Sequence, residues 1–386
     1  VHIWLNENVL EAAQRRISWL FDEFEQVVVN VSGGKDSTVV FHLTLEEARR
    51  RGRLPLTAYW IDQEAEWRAA VDMVREWMSH PDVQPMWLQV PFRIFNATSN
   101  ADHWLHAWDP AAEDLWVHPR DPAALTDNVY GTDRFAELFR RVIAYHFDGV
   151  SVAQIAGVRA EESPVRRMGL TGHETYGGET WGRRHEYQPR HFTFYPIYDW
   201  NYPDVWKAIH DHGWRYCRLY DLQYQYGIGI RNMRVSNLHH ETALESLFYL
   251  QEFEPDTYER LAARIGGIDM AGKLGGDDYY VDEVPSMFDG WEDYRDYLLE
   301  HLIDDPKWKV RMATRFARGK ERFHPTVHPG MFKVHVRSIL AHDWEGIIVE
   351  NWERSVPVHL QTERAEKNAA KAARAVKAAE AAEAVL

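Results

Sequence analysis

Val27-Val28-Val29-Asn30-Val31 runs directly into Ser32-Gly33-Gly34-Lys35-Asp36-Ser37, and a helix-like stretch from Thr38 to Arg51 follows at once. A short apolar run closed by a glycine turn reads as a buried strand, so the segment is a strand, a tight loop and a helix. Two adjacent glycines let the backbone curl until successive N–H groups converge on an anion, and the N-terminal end of the following helix adds a favourable dipole. Lys35 supplies a point charge, and Ser32 and Ser37 supply hydroxyl donors. The loop is therefore built to bind phosphate. It is not a Walker A box, which needs a Gly five residues before the Gly of its Gly-Lys pair and a Ser or Thr after the Lys; those positions hold Val29 and Asp36.

Outward from this loop, Asn6 to Gln26 reads as an amphipathic helix, with Val9, Ala13, Ile17, Leu20 and Phe24 at helical spacing. Leu54 to Ile61 is a second strand ending at Asp62, Glu64 to Met78 a helix, and Met86 to Val90 a third strand. Strands alternating with helices imply an α/β fold, a parallel twisted sheet with helices on both faces. Phe92 to Tyr130 interrupts the pattern as an irregular insertion, a helix resumes from Arg134 to Phe147, and Ser151 to Val158 is a fourth strand. Gly169 to His191, rich in Gly, Arg and His without a period, reads as a mobile loop or lid. His191 to Ile197 returns to strand; Asn201 caps the next helix, with Asp204 in its first turn and Gly213 at its end. From Ser236 the helical period dominates. The expected organisation is a nucleotide-binding domain over 1–235 with its insertion at 92–130, a mainly helical domain over 236–362, and an Ala/Lys/Glu-rich tail over 363–386 with nothing to oblige it to pack.

In an open parallel sheet, ligands bind outside the carboxyl ends of the strands. Gly157-Val158-Arg159-Ala160-Glu161-Glu162-Ser163-Pro164-Val165-Arg166 lies at such an end and should face the same crevice as the glycine loop. Gly157 permits close approach, while Arg159 and Arg166 can grip phosphate or sulfate oxygens by bidentate hydrogen bonds. Asp62 at the second strand's end can meet a ribose hydroxyl or magnesium, and Asp36 is a comparable hard oxygen ligand inside the loop; spacing does not choose between metal binding and loop hydrogen bonding. Asp199 and Asp204 read as a turn residue and a capping acid. The pairs His103 with His106 and His239 with His240 read as structural, with no zinc site. Gly227-Ile228-Gly229-Ile230-Arg231-Asn232 lacks the third glycine of a dinucleotide fingerprint.

A chain of 386 residues with 45% hydrophobic content can bury a sizeable core. No apolar run approaches the roughly 18 residues of a membrane span, and the first residues lack the layout of a signal peptide, so the expected location is cytoplasmic with no membrane association. The single cysteine, Cys217, excludes an internal disulfide and a cysteine-ligated iron–sulfur cluster. A formal net charge of −15 opposes general attraction to nucleic acid. Any such contact must be local, and Lys307 to Arg337, with nine Lys and Arg against one acid, Glu321, is the candidate stretch. The 17 tryptophans read chiefly as packing.

The hexapeptide Ser32 to Ser37 resembles the PP-loop of ATP pyrophosphatases, and together with Gly157 to Arg166 and Pro196 to Trp206 it resembles the phosphoadenylyl-sulfate (PAPS) reductase-like family. Tyr220-Asp221-Leu222-Gln223-Tyr224, Met233-Arg234-Val235-Ser236, Glu254-Pro255 and Arg264-Ile265-Gly266-Gly267 are similar to the IbrA-type subgroup. The resemblance implies an adenine nucleotide alpha hydrolase-like fold that binds ATP, or an adenylylated sulfate nucleotide, with magnesium. It implies a nucleotide cradle of Ser32, Gly33, Gly34, Lys35, Asp36, Ser37, Asp62, Gly157 and Arg159, with Asp36 and Asp62 for the metal and Lys35, Arg159 and Arg166 for catalysis. It also implies carriage by phages, a transcriptional co-activator role and a ParB-like protein partner; a homo-oligomer is left open. True reductases resemble one another in a C-terminal catalytic cysteine, which this sequence lacks, so thiol-based reduction has no nucleophile. The expected activity is cleavage of ATP to AMP and pyrophosphate, with AMP passed to a sulfate-like acceptor, a carboxylate or an activated oxygen on a nucleotide base. The alternatives are a non-catalytic nucleotide sensor acting with the ParB-like partner, and a PAPS reductase that borrows an external thiol.

Overall fold

A computed structural model describes residues 6–98, 104–172, 174–185, 188–240, 243–268, 283–303, 305–340, 343 and 346–361. The expected tail over 363–386 and His103 lie outside the described residues. The chain divides into two compact units, Val1–Gly272 and Lys273–Leu386.

In the first unit, α1 (Val9–Glu23) starts at Asn8, whose side chain accepts from the Glu11 N–H while Glu11 reaches back to the Asn8 N–H. Then come β1 (Gln26–Asn30), α2 (Lys35–Arg50), β2 (Leu56–Ile61), α3 (Arg68–Met78) and β3 (Val83–Leu88). A hairpin, β4 (Phe92–Phe95) with β5 (Trp104–Ala107), and a 3₁₀ turn at Pro110–Leu115 occupy the insertion. The sheet resumes with α4 (Phe135–His146), β6 (Val152–Ile155), α5 (Pro164–Thr171), β7 (Gly182–Arg184) and β8 (His191–Phe194). Strand order is β3-β2-β1-β6-β8-β7, parallel from β3 through β8, with β7 antiparallel at the edge. All six residues of β2 and all four of β6 are buried, as a parallel sheet covered on both faces requires. The carboxyl ends of β1, β2, β6 and β8 thus open onto one rim, where Ser32, Asp62, Gly157 and Tyr195 follow them.

The stretch 169–191 differs from the expected mobile loop. Among its described residues, Gly182–Arg184 pairs with β8, and Tyr176 and Trp181 join Trp19, Phe24 and Phe194 in an aromatic cluster with ring centroids 5.1–6.4 Å apart. A Cβ on Gly182 would stand 2.8 Å from the Phe194 ring, so glycine lets this edge close onto the aromatics. Burial of rings fixes the segment without any sequence period to announce it.

Beyond the sheet, α6 (Tyr202–His212) runs from Asn201, whose N–H Asp204 accepts at 2.7 Å, to Gly213 in the left-handed conformation, as expected. Then come α7 (Leu219–Gln225), α8 (Leu244–Phe253) and α9 (Pro255–Arg264). Glu254 accepts from the backbone N–H groups of Arg68 and Ala69 at 2.7 and 2.9 Å, capping α3 from 185 residues away. The helical pattern that begins near Ser236 therefore opens within the first unit.

The second unit contains α10 (Trp291–His301), α11 (Pro306–Arg322), α12 (His328–Leu340) and α13 (Ile347–Ser355), packed around Phe323, Met331, Phe332 and Val356. The basic stretch Lys307 to Arg337 falls on α11 and α12. Folding brings acids to it that are distant in sequence: Glu292 pairs with Lys320 and Glu353 with Arg322, while Lys333 lies over the Trp291 ring. Its cationic excess is smaller than the linear sequence suggests. No helix among the described residues is long and apolar enough to cross a membrane.

Candidate functional site

The glycine loop owes its shape to close backbone approaches. Gly33 sits at φ +73°, a conformation costly for any residue with a Cβ, and a Cβ there would meet Ala70 of α3 at 3.1 Å. Ser37 Oγ accepts from the Ser32 N–H at 3.0 Å, and the Tyr220 hydroxyl accepts from the Lys35 N–H at 3.0 Å. The Gly33, Gly34, Asp36 and Ser37 N–H groups have no acceptor among the described residues. Four orphan amides at a helix start form an anion-directed array. Lys35, mostly buried, places its Nζ 3.1 Å from Asp36 and over the Tyr220 ring at 5.6 Å.

The segment after β6 reaches the loop directly. A Cβ on Gly157 would stand 2.6 Å from the Asp36 carbonyl carbon, 2.7 Å from its oxygen and 2.9 Å from the Ser37 nitrogen. The close approach anticipated at Gly157 is thus to the loop's own backbone. Arg159, 4% exposed, donates from Nε to Asp36 at 2.5 Å and from Nη1 to Glu161 at 2.8 Å. Arg166 pairs with Glu162 near the start of α5, whose cap, Ser163, accepts from the Arg166 N–H at 3.1 Å. Burial lowers the Arg166 pKa; Asp36 raises it, and Arg159 and Arg234 lower it further, so Arg166 feels all three charges. Ser32, Gly33, Gly34, Lys35, Asp36, Ser37, Gly157, Arg159 and Arg166 therefore come together. Tyr220 joins them through the Lys35 N–H, and Arg234 bears on Arg166 electrostatically. Both lie in motifs quoted above, but nothing in their local sequence pointed to the loop.

Asp62 does not join this group. It is 0% exposed, and its carboxylate is enclosed by the Glu64 N–H at 3.0 Å, Trp87 Nε1 at 3.1 Å, Gln89 Nε2 at 2.8 Å and His118 Nε2 at 3.3 Å. With its lone pairs so occupied it braces the end of β2, a correction to its expected place as a ribose or magnesium ligand. Beside it, Glu64 at φ +65° forms a buried pair with Arg264 at 2.6 Å and accepts the Trp108 N–H at 2.7 Å. Glu64 and His118 carry no local signal because their partners arrive from far along the chain, and Arg264 falls only within a family motif quoted above, with nothing to point it to Glu64.

His118 gives this network a pH signature. Burial pulls its pKa down, but the Asp62 charge and hydrogen bond outweigh that and raise it. A raised folded value means the pair's stabilisation is fully present below about pH 6.5 and is lost as pH rises through the folded pKa. The thermal midpoint of His118→Gln is therefore expected to fall less than that of the parent protein over this upper window. Parallel melting curves from pH 6 to 9 check it, and identical slopes would dissociate His118 from Asp62.

Other candidates settle into structural roles. Asp199 makes a bidentate pair with buried Arg16, both contacts 2.7 Å. Cys217 is buried, which pushes its thiol up to about 12. His239 is buried, hydrogen-bonds Gln63 at 2.8 Å and has its pKa lowered by burial to about 3.

Residues 26–230 match the family model described as the phosphoadenosine phosphosulfate reductase domain, and residues 227–321 match a domain of unknown function, DUF3440. The chain is 29% identical over 321 residues to the uncharacterized protein YbdN of Escherichia coli strain K12, covering 76% of this chain and 75% of that protein. Among solved structures, the FMN adenylyltransferase of Candida glabrata aligns at 13% identity and a TM-score of 0.35, over 56% of this chain and 62% of that one, under two thirds of its length. The PAPS reductase of Candida auris, a phosphate complex, aligns at 15% identity and a TM-score of 0.35, over 62% and 99%.

Proposed function

The chain belongs to the phosphoadenosine phosphosulfate reductase domain family, and from that premise we propose that it is an enzyme that splits ATP between its α- and β-phosphates and transfers AMP. An oxygen of the acceptor attacks the α-phosphorus, the bond to the α–β bridging oxygen breaks, and pyrophosphate leaves with that electron pair. The observation that carries this reading is the set of four amides without an acceptor among the described residues, beside two buried cations, Lys35 and Arg159. The amides of Gly33, Gly34, Asp36 and Ser37 would hold the departing pyrophosphate, and Lys35, Arg159 and Arg166 would offset its growing charge. Such pre-aimed donors act without reorganising at the moment of reaction.

Lys35, Arg159 and Arg166 each already lie against an acid: Asp36, Asp36 with Glu161, and Glu162. A triphosphate therefore meets a nearly neutral site, and magnesium would supply the missing charge. Magnesium is commonly held by one or two carboxylates plus substrate phosphates; Asp36 would be the carboxylate, its oxygens each meeting one cation here, Arg159 and Lys35, and each keeping a lone pair for the ion. A thiol reductase fits less well, because the sequence's one cysteine is buried and its thiol is pushed up to about 12.

Purified protein with ATP and magnesium is expected to release pyrophosphate when a sulfate-like, carboxylate or nucleobase acceptor is supplied in turn, and release should fall on chelation of magnesium. Tight ATP binding without turnover under every acceptor and partner condition would replace the enzyme with a nucleotide sensor.

A further inference from the structure

Tyr220 has two sides. Its hydroxyl accepts the Lys35 N–H, and its ring is one wall of a cavity of about 390 Å³ between α6 and the segment through α7. The other principal walls are Tyr202, Trp206, Tyr216 and Tyr224, with Asp221 beside them. Tyr216 and Tyr220 both meet Trp206 nearly at right angles, 84° and 88°, with centroids 5.2 Å away, so the rings form the sides of a box. The cavity is within the size range of small-molecule sites, which pair aromatic walls with a few polar groups.

The charge of the lining narrows the occupant. Asp221 is the one carboxylate among its walls, and the Arg231 guanidinium lies over the Tyr202 ring at 5.2 Å rather than among the lining side chains. Asp221 Oδ1 accepts from the Tyr216 hydroxyl at 2.8 Å, leaving the carboxylate's other oxygen for a ligand donor. A sulfate or carboxylate would meet apolar rings and a like charge, which is unfavourable. A flat ring with an N–H edge would gain both stacking and a charge-assisted hydrogen bond.

We propose that this aromatic box seats a nucleobase bearing an exocyclic amine, with the amine directed to Asp221. Resting on the adenylyl-transfer reading, it further assigns that base to the acceptor, because Tyr220 links the box to the loop that would hold ATP.

The test titrates guanosine and cytidine, with inosine and uridine as partners lacking the amine, against the full chain with and without saturating α,β-methylene ATP, whose adenine also carries such an amine, by ligand-observed NMR. Guanosine and cytidine are expected to bind more tightly than their partners. Tyr224→Ala, at a position 66% exposed and so removable without harm to the core, should weaken guanosine about tenfold or more. Asp221→Asn should erase the preference for guanosine over inosine, a change that mere loss of packing would not produce. Absence of base binding, or binding indifferent to both substitutions, overturns the proposal. Titration of the ATP analogue alone keeps the two readings apart: analogue bound without guanosine defeats the box and spares the nucleotide loop, while Tyr224-dependent guanosine binding without the analogue does the reverse.

Discussion

Gly157→Ala is expected to weaken binding of a non-hydrolysable ATP analogue by about 10- to 100-fold, the scale of one lost hydrogen bond to a charged phosphate. The added methyl would stand 2.6–2.9 Å from the carbonyl of Asp36 and the nitrogen of Ser37. These are backbone atoms in the first turn of α2, so no flexible side chain can move aside. Either the first turn of α2 or the segment after β6 must shift, and the orphan amides lose their convergence. Overpacking of this kind also costs stability, about 1–3 kcal/mol. Gly169→Ala is the matched control. A Cβ at Gly169 meets nothing within 4 Å, so binding should be unchanged. Isothermal titration of both variants decides the matter, and parental affinity in Gly157→Ala would mean that the loop does not hold the nucleotide.

Gly157 also marks how far a sequence can be read. The strand-loop-helix around Ser32 to Ser37 was legible because its signals are local: an apolar run, two glycines and a helical period within one short segment. That Gly157 permits a close approach was legible too, but the atoms it approaches belong to β1's neighbourhood, and only the pairing of β1 with β6 brings them together. Asp62 shows the limit from the other side. Its place at the end of β2 could be read, whereas Trp87, Gln89 and His118, which enclose its carboxylate, converge only through the β2–β3 pairing and the insertion. The edge strand β7 was hidden for a related reason, since three residues held by aromatic packing carry no alternation. Periodicity reports which face of an element is buried; it does not report which side chain from elsewhere will meet it.

Arg159 is where fold and proposed chemistry draw on the same group, and its removal is expected to damage both. The guanidinium is 4% exposed and spans two carboxylates, half-buried Asp36 and exposed Glu161, so Arg159→Ala removes a partner from each while Lys35 still pairs with Asp36, at a cost of about 1–3 kcal/mol. Turnover per folded molecule should fall by a further ~100- to 1,000-fold, the loss typical of removing one preorganised donor to a developing anion. Arg159→Lys separates the effects: a single ammonium can neutralise one acid and recover part of the stability, but it cannot reproduce the planar fork. Arg166→Ala should behave differently, because Arg166 is more exposed and pairs with Glu162 alone among the described residues. Its stability should change by less than about 1 kcal/mol, while pyrophosphate release slows. Denaturant midpoints and pyrophosphate release measured on the same preparations test this ordering. If Arg159→Lys restored turnover as fully as it restored the midpoint, Arg159 would act as a charge that holds the loop closed, and stabilising the leaving pyrophosphate would fall to Lys35, Arg166 and the loop amides.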